Sequence, residues 1–327
     1  SNASPPPTTH PDHRRDSTLC PGNSFNRHFM SALPPDLLSA SADSAADGDL
    51  SGAGGRVLDL AEEHGTPWFI YDEAQRRARC REAVSAFGDG VAYATKAFLC
   101  TAMAQLAHEE GMHLDVATGG ELHVALHAGV PAERLVMHGN NKSELELRMA
   151  LESGVGRVVV DSFEELDRIE TLVEDGLAPP TVLIRVNPGV EAHTHEYLQT
   201  GAADSKFGFS LSGGVAEAAI DRAAASQSMN LAGLHAHIGS QVFVVDSFAK
   251  AIGALAPLVH RVAAREFSIG GGLGVAYVEG ESAPTITEWA AAVKAACAEA
   301  GIESRILAEP GRSIVARAAL TVYRVGT

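Results

Sequence analysis

Short apolar runs alternate with amphipathic stretches through most of this chain. Strand-like runs fall at 91–96, 113–117, 135–138, 157–160, 181–187, 232–238, 266–270 and 304–308. Helical periodicity fills 98–110, 120–129, 142–153, 163–175, 213–225, 246–264 and 286–300. Each strand reads as a continuous apolar run and not as strict alternation, which suits strands covered on both faces. Eight such units in roughly 250 residues predict an α/β chain folded as a closed (β/α)₈ TIM barrel. An open doubly wound sheet is the alternative, but no early G-x-G-x-x-G opens a helix after a first strand.

Ahead of the barrel, 56–65 predicts a short helix ending on Gly65. Residues 67–72 predict a strand rich in aromatic and branched side chains. Residues 1–55 lack periodicity. Pro5-Pro6-Pro7 and the Ser/Ala/Asp/Gly mixture at 39–55 predict a disordered extension, and Ser1-Asn2-Ala3 reads as an expression scar. The last stretch, 318–327, reads as one more strand. The domain reading is therefore an extension over 1–55, a barrel over 56–315, and the start of another domain over 316–327.

Charge narrows the function classes. Lys plus Arg is 25 and Asp plus Glu is 41, a net −16, which argues against nucleic acid or an anionic membrane as partner. No apolar run approaches the roughly 18 residues of a membrane span, and no secretory segment opens the chain. Cys20, Cys80, Cys100 and Cys297 form no C-x-x-C pair, which suits a reducing cytoplasm. The fourteen histidines show no H-E-x-x-H spacing, so no metal site is expected.

Functional groups on such a barrel sit at the C-terminal ends of the strands. In order these are Lys96, Asp115, His138, Asp161, Arg185, His237, Gly270-Gly271-Gly272 and Glu309. A lysine ending a buried strand suits Schiff-base chemistry with a carbonyl substrate or with pyridoxal phosphate, because burial disfavours its charged form. The plain alternative is a strand cap that reaches back to water. The glycine triplet after the seventh strand offers backbone N–H groups to a phosphate, and Ser240 and Arg312 can add donors. His237 is placed to lie against a planar ring, with His235 as its neighbour or substitute. A carboxylate at Glu309 would keep a pyridine nitrogen protonated and make the ring a strong electron sink. Its alternative is a helix-start carboxylate.

Several stretches carry a more specific resemblance: "YATKA" (93–97), "DVATGGEL" (115–122), "HGNNKS" (138–143), "RVNPGVEAHTHEYLQTG" (185–201), "SKFGFS" (205–210), "GLHAHIGSQ" (233–241), "IGGGLG" (269–274) and "EPGRSIV" (309–315). Over about 60–327 the chain resembles the fold-type III pyridoxal-phosphate decarboxylases, and among them the diaminopimelate decarboxylases. The resemblance implies pyridoxal 5'-phosphate as cofactor and Lys96, His237 and Glu309 as catalytic residues. Lys96 would hold the cofactor's aldehyde, His237 would stack on the ring, and Glu309 would meet the ring nitrogen. Asp115, Ser240, Gly270, Gly271, Gly272, Gly311 and Arg312 would complete the cofactor site. Arg312, Arg185, His138 and Asn141 would meet the substrate, with Glu121 at the same mouth.

The implied reaction takes meso-diaminopimelate to L-lysine and CO2, in cytoplasmic lysine biosynthesis, by a homodimer with a shared active site. A related decarboxylase acting on another amino acid or a carrier-bound amino acyl group is the alternative, as is a non-catalytic cofactor-binding barrel. Members of the family carry a C-terminal β-domain whose Cys-Glu motif and tyrosine complete the site. Nothing like that motif occurs here, and the segment between "HIGSQ" and "IGGGLG" is shorter than usual. The chain is therefore expected to hold the barrel with that second domain largely missing.

Overall fold

The structure is a computed structural model of the chain, described over residues 43–44, 50–52, 55–190 and 206–326. Most of the 1–55 extension and the "HTHEYLQTG" stretch lie outside the described residues. Within 1–55 the described pieces Asp43–Ser44, Leu50–Gly52 and Gly55–Arg56 pair as a small antiparallel sheet.

Eight parallel strands form one sheet: Ala92–Ala94, His113–Val116, Leu135–Met137, Arg157–Val160, Thr181–Asn187, Asn230–His235, Glu266–Ser268 and Arg305–Leu307. The ring closes where Ala92 N–H donates to Ala308 O at 2.9 Å and Ala308 N–H donates to Gly90 O at 3.1 Å. The fold is thus the closed barrel and not the open sheet. Helices Thr101–Glu109, Gly119–His127, Glu144–Ser153, Phe163–Glu174, Val215–Ala225, Asp246–Arg261 and Ile286–Glu299 cover it. Two of them begin at capping boxes, Ser143 with Glu146 and Thr285 with Glu288, which satisfy N–H groups that the first turn cannot.

The sequence pattern did not disclose the 15-residue helix Glu73–Phe87. Its inner face carries Gln75 and Arg76 as well as Cys80, Ala83 and Phe87, so no continuous apolar stripe marks it. Arg76 is hidden because its guanidinium lies 4.2 Å from the Tyr71 ring centroid and 4.7 Å from that of Phe98. Strand Ala319–Val322 pairs antiparallel with Trp68–Tyr71, outside the barrel.

The barrel interior is layered. Val136, Val159, Leu183, Ala232 and Leu307 form a small apolar cluster of their own. Strand side chains alternate faces, so the inward neighbour two residues on lies one layer higher. Those neighbours are His138 after Val136, Asp161 after Val159, Arg185 after Leu183 and Glu309 after Leu307. On the sixth strand the register shifts between Leu231 and Gly233, and His235 pairs with Arg185 on one side and Ser268 on the other. An apolar floor therefore carries a polar layer, and that layer is the base of the mouth.

Candidate active site

Lys96 departs from its expected setting. The first strand stops at Ala94, and Lys96 sits exposed in the short 3-10 turn Thr95–Ala97. The turn is pinned by Thr95 Oγ1, which donates to Asp115 O at 2.8 Å. The strand does not bury the lysine; it presents the amine at the rim. Lys96 lines a cleft of about 460 Å3 together with His237, Ser240, Gly272, Tyr277, Glu309, Gly311 and Arg312. A second cleft of about 420 Å3, beside Gln75, Arg79, Ser313 and Arg317, contains none of the strand-end groups.

On one wall, Arg312 donates from Nη2 to Ser240 Oγ at 3.2 Å and from Nη1 to Tyr277 Oη at 2.8 Å. The glycine triplet behaves unevenly. Gly270 N–H donates to Ser268 Oγ at 3.2 Å, and Gly271 N–H donates to His237 Nδ1 at 3.1 Å. Gly272 is the member that lines the cleft. A Cβ on Gly271 would collide with Glu309 O, and one on Gly272, at φ +108°, with Gly239 O. Side-chain-free residues are needed here because two backbone turns touch. The Gly271 bond also places the proton of neutral His237 on Nε2. Enclosure, and then the Lys96 and Arg185 cations, hold His237 well below the usual imidazole range.

Under the cleft lies a buried set of titratable groups. Glu309 Oε2 accepts from His235 Nε2 at 3.0 Å, and Oε1 accepts from Ser268 Oγ at 2.8 Å. His138 Nε2 lies 3.4 Å from Glu309 Oε1 and 3.7 Å from Asp115 Oδ1. Burial pushes the Asp115 carboxyl up and pulls His235 down to about 4. Burial works against the Glu309 anion too, but His235 and His138 outweigh it and hold Glu309 well below the carboxylate range. His138, His235 and Glu309 present possible ligand atoms within 4.8 Å of one another.

Arg185 lies in the same layer, with Nη1 3.4 Å from Asp161 Oδ1 and its guanidinium 4.4 Å from the Phe207 ring centroid. Gly208 N–H donates to the other Asp161 oxygen at 2.8 Å. Asn141, by contrast, is exposed. The buried residue of its loop is Lys142, whose Nζ lies 2.7 Å from Glu165 Oε1 and donates to two backbone carbonyls. Glu121 Oε2 accepts from Ala117 N–H at 2.6 Å and so steadies the loop after the second strand. The motifs did not single out Ser268, Tyr277, Lys142 or Glu165. Ser268 could have been suspected as a hydroxyl inside an otherwise apolar strand.

These residues fit pyridoxal phosphate. The cleft volume is that of an ordinary cofactor site. Its walls offer a free amine, two phosphate-type donors, close glycine backbone and one enclosed carboxylate.

The family described as pyridoxal-dependent decarboxylase, pyridoxal binding domain, matches residues 73–316. The diaminopimelate decarboxylase of Mycobacterium tuberculosis (strain ATCC 25618 / H37Rv) is 44% identical over 292 residues, 84% of this chain and 65% of that protein. That of Bacillus subtilis (strain 168) is 43% identical over 296 residues, 86% of this chain and 67% of that protein. Among solved structures, diaminopimelate decarboxylase from M. jannaschii in co-complex with L-lysine superposes with a TM-score of 0.80 at 30% identity, covering 86% of this chain and 69% of that one. The chain thus spans 65% of the length of the first of these relatives.

Proposed function

The chain belongs to the pyridoxal-dependent decarboxylase family, and on that premise we propose that it forms the cofactor-binding barrel of a carboxy-lyase that converts meso-diaminopimelate to L-lysine and CO2. One observation carries the reading: Lys96, His237, Glu309 and Arg312, from three different strand ends, line a single cleft. The substrate class is supported by the relatives' names and by the L-lysine bound in a relative at 30% identity.

Bound pyridoxal phosphate supplies the electron sink for the pair left behind when CO2 departs. The chain's own residues do the rest. Lys96, exposed and on a pinned turn, would hold the cofactor's aldehyde through its amine. Ser240, Gly272, Gly311 and Arg312 hold the phosphate, with Gly270 and Gly271 shaping the turn. His237, fixed by Gly271, packs against the ring. Glu309 would hold a proton on the ring nitrogen, with Asp115 in the same buried layer, across His138 from it. Arg312, Arg185, His138 and Asn141 are taken as the substrate contacts, Arg312 from the cleft wall, Arg185 and His138 from the buried layer beneath it and Asn141 from an exposed loop.

The same reading takes 1–55 as an extension, 56–315 as the barrel domain and 316–327 as the start of a second domain. It also takes the protein as a cytoplasmic homodimer with a shared active site. No helix among the described residues is long and apolar enough to cross a membrane, and Cys80, Cys100 and Cys297 are free.

The test uses the chain with pyridoxal phosphate, followed by borohydride. Wild type should retain a covalent chromophore, and Lys96→Ala should retain none; a labelled K96A protein would overturn the assignment. Release of CO2 from another amino acid, with none from meso-diaminopimelate, would overturn the substrate.

A further inference from the structure

Glu309 is 7% exposed, and its immediate surroundings are not those of a carboxylate left to find its own direction. His235 Nε2 and Ser268 Oγ occupy one oxygen each, at 3.0 and 2.8 Å. An ionised carboxylate only accepts, so the His235 proton sits on Nε2. Nδ1 is then the bare nitrogen, and it has no hydrogen-bond partner among the described residues. His235 is 1% exposed and stands edge-on to His138, with ring centroids 5.0 Å apart.

We propose that His235 is a positioning residue: its Nε2–H, together with the Ser268 hydroxyl, fixes the direction in which the Glu309 carboxylate faces the cleft. The proposal rests on the cofactor reading above, in which Glu309 meets the ring nitrogen.

Three observations support a clamp over simple packing. The two donors take different oxygens, which sets the plane of the carboxylate as well as its place. Both donors lie on regular strand residues, His235 and Ser268, which pair directly across the sheet, so the backbone fixes their separation. Ser268 Oγ is itself oriented by accepting from Gly270 N–H at 3.2 Å. The clamp is therefore tied to the glycine turn that borders the cleft.

His138 has a different place. It lies 3.4 Å from Glu309 without hydrogen-bond geometry, and between two carboxyl groups. Lys96 from the turn after the first strand, Asp115 from the second and Arg185 from the fifth also act on this pocket, and no hydrogen bond joins any of the three to Glu309 among the described residues. Without the two donors, burial would favour the protonated acid, which offers a ring nitrogen no anion.

The experiment is titration of this chain with pyridoxal phosphate, read by absorbance across pH 5.5–8.5, for wild type, His235→Leu, His235→Gln and Ser268→Ala. Near-UV circular dichroism reports the fold. The Gln amide keeps a donor near the Nε2 position, and Leu keeps bulk without one. H235L should bind at least about tenfold more weakly, the loss expected for one charge-assisted hydrogen bond, and its bound chromophore should titrate at a different pH. H235Q should stay within about threefold of wild type, and S268A should fall between. H235L matching wild type in both readouts would overturn the clamp, as would H235Q failing equally while S268A is silent. If the His235 variants do not fold, S268A alone decides, and wild-type affinity with a wild-type pH profile overturns the proposal. Wild type that binds no cofactor would instead sink the reading on which it rests.

Discussion

At the base of the barrel, Arg157 forks onto Glu266 with two contacts of 2.5 Å, and Arg305 stands 3.8 Å from the same carboxylate. At the mouth, Asp115, His138, His235 and Arg185 crowd together with longer or incomplete contacts. Both ends are rich in ionisable groups, yet their charge states move in opposite senses. Below, the fork raises Arg157, and the Arg157 and Arg305 cations overcome burial to lower Glu266, so both partners stay charged. Above, burial raises Asp115 and lowers His235, His237 and Arg185, each toward its neutral form. Glu309 is the exception that stays anionic. Matched charge marks the base of the ring, and suppressed charge with one retained anion marks the end that carries the candidate cofactor cleft.

The largest effect expected from breaking this contrast is at the base. Arg157→Met leaves Glu266 enclosed, with Arg305 as its remaining close cation. Breaking such a pair costs on the order of 3 kcal/mol, the low end of the range because both side chains retain some exposure. Urea denaturation should show that loss, and cofactor uptake at the mouth should be unchanged. Adding Glu266→Leu should recover much of it. A double variant less stable than R157M would mean that the fork is not an isolated pair.

Much of this division was legible in the sequence. Parallel strands covered on both faces read as apolar runs, so the eight-fold alternation and its polar endings stood out. Adjacency across strands did not. Ser268 reads as one hydroxyl in "FSIG", and its bond to Glu309 exists only because the seventh strand lies beside the eighth. In "HGNNKS" the pattern favoured Asn141, whereas the fold buries Lys142 against Glu165. Lys96 reads as the end of a buried strand, but the chain turns two residues earlier and lifts it to the rim. Helix Glu73–Phe87 escaped because its hidden face carries Arg76, stabilised by rings from Tyr71 and Phe98.

A smaller effect sharpens the contrast through pH. His235 titrates near 4 in the folded chain against an ordinary 6.5, so between those values the unfolded chain binds the extra proton. Stability should therefore fall as pH drops below 6.5, with the loss complete only below about 4. Asp115, displaced upward, works the other way: its neutral form is favoured in the fold and gains as pH falls. The His235 share of the loss between pH 6.5 and 5 should be at most about 2 kcal/mol, from about 1.4 kcal/mol per pH unit for one proton, and His237, also displaced downward, adds a share of its own. Urea midpoints at several pH values measure it, and His235→Gln should reduce the slope without abolishing it. A slope unchanged in H235Q would move its origin to another group.

The smallest effect supplies the reference for both ends. Arg261 Nη2 lies 2.7 Å from both Asp221 oxygens, within about 0.2 Å of the Arg157–Glu266 contacts at the base. Its partners, however, are 46% and 60% exposed. Water already solvates each charge, and holding two long side chains together costs rotamer freedom. Arg261→Ala should therefore cost about 0.5 kcal/mol, shrinking further in high salt. Should it match R157M instead, contact distance and not enclosure would govern these pairs, and the opposite behaviour of the two barrel ends would need another cause.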